Sequence, residues 1–467
     1  MTARVLTQSV GWLMVSHVAT VLVGLATSIV ISQVGAEELG RWRFAQAIVA
    51  YLMVGTDAGL TMLAVRELAT RPTNASRYAG PILLIRLVLA LVFVTTSALI
   101  IRPGPDNDAG WFYVAMSLTT VPAALSLAHV AQGFEMMRTY AVVRLASGAI
   151  AALAGLVAFK VTADLIAFAI PIVAIGLIVD LGLAGYLRSA AGLHFRLGTP
   201  RLWTQLLVGA VPFLIGALSI QLISNADAVI IRTVLGEREL GLYAAAYVLA
   251  GQLLLLSGPV SWAIYPRLAA IHAQGGELER ATREVSGALG LLVLPVCAGV
   301  ALIAPSVVVG IYGQEYEPSI PLLAILMGMP LIGFYNSAMG QTLNAAMRHA
   351  TVARVAALAA SISILLNILL VPTFGLVAAA VAAVVTELIT AVAYTRTMRP
   401  VSGLAPIRAY FATLDATIAM AVVVLVLREY PLPLTILVGV AVYLAVILVR
   451  RPASLATLIR IAGRRGR

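Results

Sequence analysis

Residues 34–46 read VGAEELGRWRFAQ, and residues 235–247 read LGERELGLYAAAY. The two stretches align without a gap. Gly35, Glu38, Leu39, Gly40 and Ala45 recur as Gly236, Glu239, Leu240, Gly241 and Ala246, and Trp42 is answered by Tyr243. The register still holds at the far end of the same segment, where Arg66 is matched by Arg267. A second echo matches Met137, Arg138, Val142 and Arg144 to Met347, Arg348, Val352 and Arg354. Matched glycines and charges carry this alignment more than matched alanines do. Among the places where the copies part, Arg41 and Arg43 stand where the second copy has Leu242 and Ala244.

Composition sets the class. Of 467 residues, 61% are hydrophobic and 11% charged, and mean hydropathy is +1.00. Soluble domains carry roughly 25% charged residues, and a bilayer-spanning helix needs about 20 mostly apolar ones. Such segments recur along the whole chain and predict an all-α polytopic membrane protein with fourteen transmembrane helices. They include 42–63, 110–134, 203–232, 240–265, 350–371 and 375–395. The first segment is expected to be a span, not a cleaved leader. The single cysteine, Cys297, leaves no intrachain disulfide to form.

Charge sets the orientation. With the N-terminus in the cytoplasm, twenty-three of the 31 basic residues fall at inner ends and loops. The positive-inside rule then places both termini in the cytoplasm. This also accounts for the net charge of +11, and the basic C-terminal tail suits anionic lipid better than nucleic acid. The repeat sets the architecture. Predicted span 2 pairs with span 8, and span 5 with span 11. An even number of crossings separates each pair, so both copies run the same way. The expectation is two parallel-repeat six-helix lobes, residues 1–199 and 200–399, with helices 13 and 14 and a basic tail in 400–467. Transporters of this build bind between halves and alternate access by rocking them.

Chemistry finds little foothold. The only lysine, Lys160, lies outside any phosphate-binding loop, so ATP is not split by this chain. The histidines are scattered, and no metal or other cofactor is implied. Glu37-Glu38 resembles the acidic pair of a membrane glycosyltransferase or polymerase, but it sits in a short loop, and Glu38 recurs as Glu239 within the repeat. The chain is therefore read as a transporter and not an enzyme. Ionisable residues inside spans are functional candidates. Asp57, Asp180, Glu387 and Asp415 lie at a shared depth of about 10–14 Å from the inner end, at 1.5 Å per residue. With His17 they are the candidate coupling or gating groups, static ion pairs such as Asp57 with Arg86 being the plainer alternative. Arg41, Arg43, Arg86, Arg144 and Arg354, with Gln221, Asn225 and Asp227, are the candidate substrate contacts. Arg41 and Arg43 have two readings: an outer phosphate or glycan contact, or interfacial anchors flanking Trp42.

The stretches ELGRWRFAQAI, GTDAGLTMLAVRELA (55–69), LGERELGLYAAAYVLA (235–250) and LLNILLVPTFGLVAAAVAAVVTEL (365–388) give the chain a family resemblance. It resembles the Wzx-type polysaccharide flippases of the multidrug/oligosaccharidyl-lipid/polysaccharide exporter superfamily, over nearly its whole length. The resemblance implies transport of a polyprenyl-diphosphate-linked oligosaccharide from the cytoplasmic to the outer leaflet of a bacterial cell membrane, for O-antigen or exopolysaccharide assembly. Membrane lipids and glycan-assembly proteins such as a polymerase are the implied partners. A cation-coupled drug or small-molecule exporter of the same superfamily is the alternative, and the two extra C-terminal helices weigh against it.

Overall fold

The computed structural model describes residues 19, 21–70, 75–104, 107–133, 137–190, 192, 195, 197–402 and 405–452. Among these the chain is helical and carries no strand. It divides into two compact units, Met1–Gly241 and Leu242–Arg467.

The first unit contains α1 (Val21–Ser32), α2 (Ala36–Asp57), α3 (Leu60–Thr70), α4 (Ala75–Ile101), α5 (Asp108–Ser117), α6 (Thr120–Leu125) and α7 (Ala128–Gly133). It continues with α8 (Met137–Thr162), α9 (Leu165–Ala190), α10 (Pro200–Val234) and the opening turn of α11 (Glu237–Leu255). The second unit holds the rest of α11, then α12 (Ser257–Ala273), α13 (Leu278–Leu302), α14 (Ala304–Tyr312) and a 3₁₀ turn, Gln314–Ser319. After it come α15 (Ile320–Leu326), α16 (Gly328–Ala345), α17 (His349–Ser402), α18 (Ala405–Tyr410), α19 (Leu414–Val426) and α20 (Leu432–Arg450).

Nine helices among the described residues are long and apolar enough to cross a membrane, or ten if the bent pair α2–α3 is one span. Where their residues are described, the predicted spans fall on helix, but several are not single rods. Segment 42–63 is α2 and α3, bent by 45° where Ala58 turns left-handed (φ 49°). Segment 110–134 is three short helices, α5 to α7. Segment 240–265 is α11 and α12. Segments 350–371 and 375–395 are the two arms of α17, which breaks at Gly375. Prolines inside α4, α9, α10 and α13 (Pro81, Pro171, Pro212, Pro295) each remove one backbone donor from an otherwise regular helix, which kinks a helix.

Packing follows from apolar faces that are wide for a soluble protein. In the first unit Leu60, Ile82, Ile85, Leu206 and Ala210 bring α3, α4 and α10 together. In the second, Leu291, Met420, Val424 and Tyr443 join α13, α19 and α20. Many large apolar side chains point outward instead, Ile100, Val157, Ile178, Leu437 and Val449 among them. Lipid is the solvent that makes such faces stable.

The repeated glycines have a structural use. Gly35 and Gly236 precede α2 and α11 with φ of 154° and 106°, conformations that side chains disfavour. A Cβ added to Gly40 would lie 1.7 Å from the Glu237 carbonyl oxygen, and one added to Gly241 would lie 1.7 Å from the Ala36 carbonyl oxygen. Ala36 and Glu237 are themselves repeat equivalents, so this close crossing of two helix starts is reciprocal. The matched apolar residues Leu39, Ala45, Leu240 and Ala246 are all buried. Trp42 is buried too, at 3% exposure, so it is not a headgroup-level anchor for its flanking arginines.

Gly40→Ala and Gly241→Ala should each destabilise the protein by about 1–3 kcal/mol or more, because backbone on backbone cannot yield to an added methyl. Gly216→Ala, whose Cβ would meet nothing within 4 Å, should be neutral or slightly stabilising. Thermal unfolding of the detergent-solubilised protein distinguishes them; equal midpoints for all three would refute the crossing.

Candidate functional site

Two polar clusters in the first unit gather most of the sequence candidates. The first forms around the start of α2. Arg41 gives Nη1 to Glu38 Oε1 at 2.6 Å, Nη2 to Glu37, and Nε to Glu237 Oε2 at 2.8 Å. Glu237 opens α11, one residue past Gly236. It also accepts from Tyr113 Oη at 2.6 Å and from Arg232 Nη2 at 3.2 Å. The Arg232 guanidinium stacks 4.8 Å from the Phe44 ring centre, and Phe44 meets Tyr113 edge to face. Burial pushes the Glu237 carboxyl up, but the hydrogen bonds from Tyr113, Arg41 and Arg232 outweigh it and hold the group below its ordinary range.

Arg43 lies deeper, 6% exposed. It donates to Asn225 Oδ1 at 2.9 Å and to the Ser224 carbonyl at 3.3 Å, and it sits 3.9 Å from Asp227. Asn225 in turn donates to Gln221 Oε1 at 2.8 Å, one turn back along α10. The candidates Arg43, Gln221, Asn225 and Asp227 thus form one connected group, and Arg41 belongs to the charged layer. In this conformation both arginines are engaged by protein.

The second cluster forms where helices break. α6 ends at Leu125, and Ser126 continues in extended conformation (ψ 128°). The carbonyls of Ala123 and Ser126 lie at this break; Ala123 O still accepts the Ser126 amide at 3.2 Å, and polar groups left short of partners are costly in a membrane interior. Arg86 from α4 fills both, with Nη2 to Ala123 O and Nη1 to Ser126 O at 2.9 Å each. Its positive charge also suits a helix C-terminus. The same guanidinium lies 3.5 Å from Asp57 Oδ1. Asp57 closes α2 and is held by the Thr61 hydroxyl and backbone amide. Asp180 of α9, only 1% exposed, accepts from Arg144 Nη1 of α8 at 2.8 Å. Its other oxygen is buried without a hydrogen-bond partner among the described residues. Tyr140 completes the group through its hydroxyl on Ser126.

The remaining candidates do not join these clusters. In the second unit Glu387 is held by Asn336 Nδ2, at 2.6 Å to Oε2 and 2.9 Å to its carbonyl. Asp415 pairs with Arg450 at 2.7 Å, both partly exposed. Arg354 is exposed and donates to the Ala350 carbonyl of its own helix. His17 lies outside the described residues. Among the described residues no group of three metal-ligating side chains occurs. Glu237, Arg232, Tyr113, Asn336 and Tyr140 are site residues that the sequence reading passed over. Glu237 carried a signal: it replaces Ala36 of the first copy just as Arg41 replaces Leu242 of the second.

Two outcomes follow from this geometry. Arg86→Met removes the counter-ion of Asp57 and the side-chain donor to the Ala123 and Ser126 carbonyls, and should cost about 3–5 kcal/mol, the range for breaking a buried pair from one side; a thermal or chemical unfolding shift near zero would contradict it. Glu237, with a folded-state pKa below the unfolded one, stabilises fully above the ordinary carboxylate range. That stability is lost as pH falls through the depressed value. Stability followed from pH 7 down to pH 3 should decline less in Glu237→Gln than in wild type.

The family model described as "Polysaccharide biosynthesis protein" matches residues 6–272. Over 159 residues the chain is 25% identical to the "Probable low-salt glycan biosynthesis flippase Agl15" of Haloferax volcanii, covering 33% of this chain and 34% of that protein. Over 211 residues it is 23% identical to the "Probable flippase AglR" of the same organism, covering 44% of each. The chain thus spans between a third and a half of the length of these curated relatives. Its fold is similar to that of "Lipid II flippase MurJ, inward closed conformation", with TM-score 0.73 and 12% identity over 94% of this chain and 99% of that one. The "eukaryotic MATE transporter AtDTX14" gives TM-score 0.58 and 13% identity over 87% and 98%. Identities this low speak for fold alone, whereas the family match covers more than half of the sequence. The chain is a multi-pass membrane protein that belongs to the polysaccharide biosynthesis protein family.

Proposed function

We propose that this protein is a flippase that moves a polyprenyl-diphosphate-linked oligosaccharide from the cytoplasmic to the outer leaflet of a bacterial plasma membrane, for cell-surface polysaccharide assembly. The observation that carries the reading is the set of ion pairs buried between different apolar helices of the first unit. Arg86 has a structural use at the end of α6, but the end of a helix does not account for Arg43 or for Asp180 and its partner Arg144, and an anionic cargo needs guanidinium groups inside the membrane. Arg144 is the leading contact for the diphosphate, because its guanidinium is 40% exposed while its partner Asp180 is buried. Arg354, its repeat counterpart, serves the same role in the second repeat. Arg41 and Arg43 hold the outer end closed until the cargo leaves, and Asp57, Asp180 and Glu387 are the coupling groups.

The family match, the names of the relatives and the fold likeness all support this reading. The parallel repeat supports alternating access by its two six-helix halves, with both termini cytoplasmic. Energy would come from an ion gradient, the membrane potential or the cargo gradient. Each charge carried fully across is worth roughly 2.3 kcal/mol per 100 mV. Glycan polymerases and other assembly proteins would receive the cargo on the outer side.

Depletion of the protein in its host should raise lipid-linked oligosaccharide on the inner leaflet, with relief by the wild-type gene and little relief by Arg144→Ala. Loss of polymer without inner-leaflet build-up would favour a polymerase or transferase. An unchanged glycan profile would favour a small-molecule exporter.

A further inference from the structure

The second unit holds a cavity of about 610 Å³ that the clusters above do not use. It is lined by Arg280 and Arg283 from the first turns of α13, Arg348 from the turn before α17, His272 from the last turn of α12, and Glu277 and Glu279. The polar stretch 267–284 supplies all of these but Arg348. By the distribution of basic residues this end faces the cytoplasm.

Three guanidinium groups, two from α13 and one from the turn before α17, share one concavity with Glu277 and Glu279. Three arginines against two glutamates leave the lining net positive, which favours an anion. Their protein partners engage them only in part. Arg280 gives Nε to Glu284 at 3.3 Å, and Glu284 is shared with Arg267 at 3.8 Å. Arg348 reaches the Thr397 carbonyl at 3.5 Å. Arg283 has no hydrogen bond or ion pair among the described residues. Each therefore keeps N–H groups of its fork for a ligand, and that fork matches phosphate oxygens two at a time. The start of a 25-residue helix, α13, adds its amide end to the same wall. The two carboxylates would repel a bare phosphate. They are good acceptors for hydroxyl groups next to one. Arginines and carboxylates in one cavity fit a headgroup that carries phosphate at one side and sugar hydroxyls at the other.

We infer that this cavity is a docking site for a glycosyl phosphate or diphosphate headgroup, with Arg280, Arg283 and Arg348 on the phosphate oxygens and Glu277 and Glu279 on the sugar hydroxyls. The inference rests on the flippase reading and deepens it: the cargo is met at the cytoplasmic end of the second unit before it enters the membrane helices. A bilayer phospholipid shares the phosphate chemistry but not the sugar hydroxyls.

The test uses the full chain in nanodiscs of phosphatidylcholine, with farnesyl-diphosphate-linked glucose and farnesyl diphosphate as probes. Wild type should bind the glycosylated probe more tightly. Arg280→Ala/Arg283→Ala/Arg348→Ala should weaken both probes about tenfold or more, a loss of about 1.4 kcal/mol per decade. Glu277→Gln/Glu279→Gln should weaken the glycosylated probe alone. Arg283→Ala, which has no protein partner to lose, repeats the arginine arm without a folding cost. Equal binding by wild type and the arginine variants overturns the site. Binding that ignores the glutamates and is displaced by adding phosphatidylglycerol to the nanodisc reassigns the cavity to a phospholipid and overturns the glycosyl inference. In cells, normal leaflet distribution with the triple arginine variant removes the docking role and leaves the flippase standing. Depletion without inner-leaflet build-up removes the flippase reading and leaves the binding result intact.

Discussion

The polar cluster at the start of α2 depends on one contact: Gly40 and Gly241 bring the starts of α2 and α11 together with no side chain between them. Small residues permit such backbone approach in membrane helices. The approach has an electrostatic consequence. Two helix N-termini meet, each with unsatisfied amides and a partial positive charge. The first turns answer with acids, Glu37 and Glu38 in α2, Glu237 and Glu239 in α11. Arg41 then sits among three carboxylates and neutralises a surplus that the glycine crossing created.

That crossing also explains why the repeat must be broken to carry an ion pair. At this crossing the repeat equivalents Gly40 and Gly241 approach one another. At the positions that meet there the same charge in both copies would be unfavourable, although Glu38 and Glu239 are retained in both. The sequence avoids this by placing the cation in one copy and the anion in the other. Arg41 has Leu242 as its equivalent, and Glu237 has Ala36. The two departures are complementary, and they bond to each other at 2.8 Å. Arg43, whose equivalent is Ala244, finds its partners on α10 instead.

Much of this was legible in the sequence because bilayer physics is coarse. Apolar length marks helices, and repeated glycines mark a crossing, so the helical class, the repeat and the importance of residues 34–46 and 235–247 could be read directly. The pairing of Asp57 with Arg86 was also within reach, since both lie at one depth. What the sequence hid were partners contributed by backbone. Nothing in TVPAALS, residues 120–126, announces that a helix stops there and that Arg86 bonds two of its carbonyls. Trp42 misled for a related reason: hydropathy places an aromatic at the interface but does not say whether it faces lipid or protein. Glu237 was visible as a letter, but its role needed the geometry that sets α2 beside the start of α11.

The charged residues of the first unit follow a rule that joins these particulars. They collect where helices begin, end or break. Asp57 is the last residue of α2, Arg86 caps the end of α6, Glu37 and Glu38 open α2, and Glu237 opens α11. A helix end in a membrane protein exposes backbone groups that lipid cannot satisfy, so a charge placed there satisfies the backbone and is itself solvated by it. Asp180, like Arg43, Arg144 and Asp227, departs from this rule, as does Glu387 in the second unit, and of these Asp180 and Glu387 are the least compensated. Each lies inside a continuous helix arm, leans on a side chain from a neighbouring helix, and has little backbone to help it. Their burial is therefore the less compensated, and the physical argument for function is stronger at these two carboxylates than at the better-bonded acids of the helix ends.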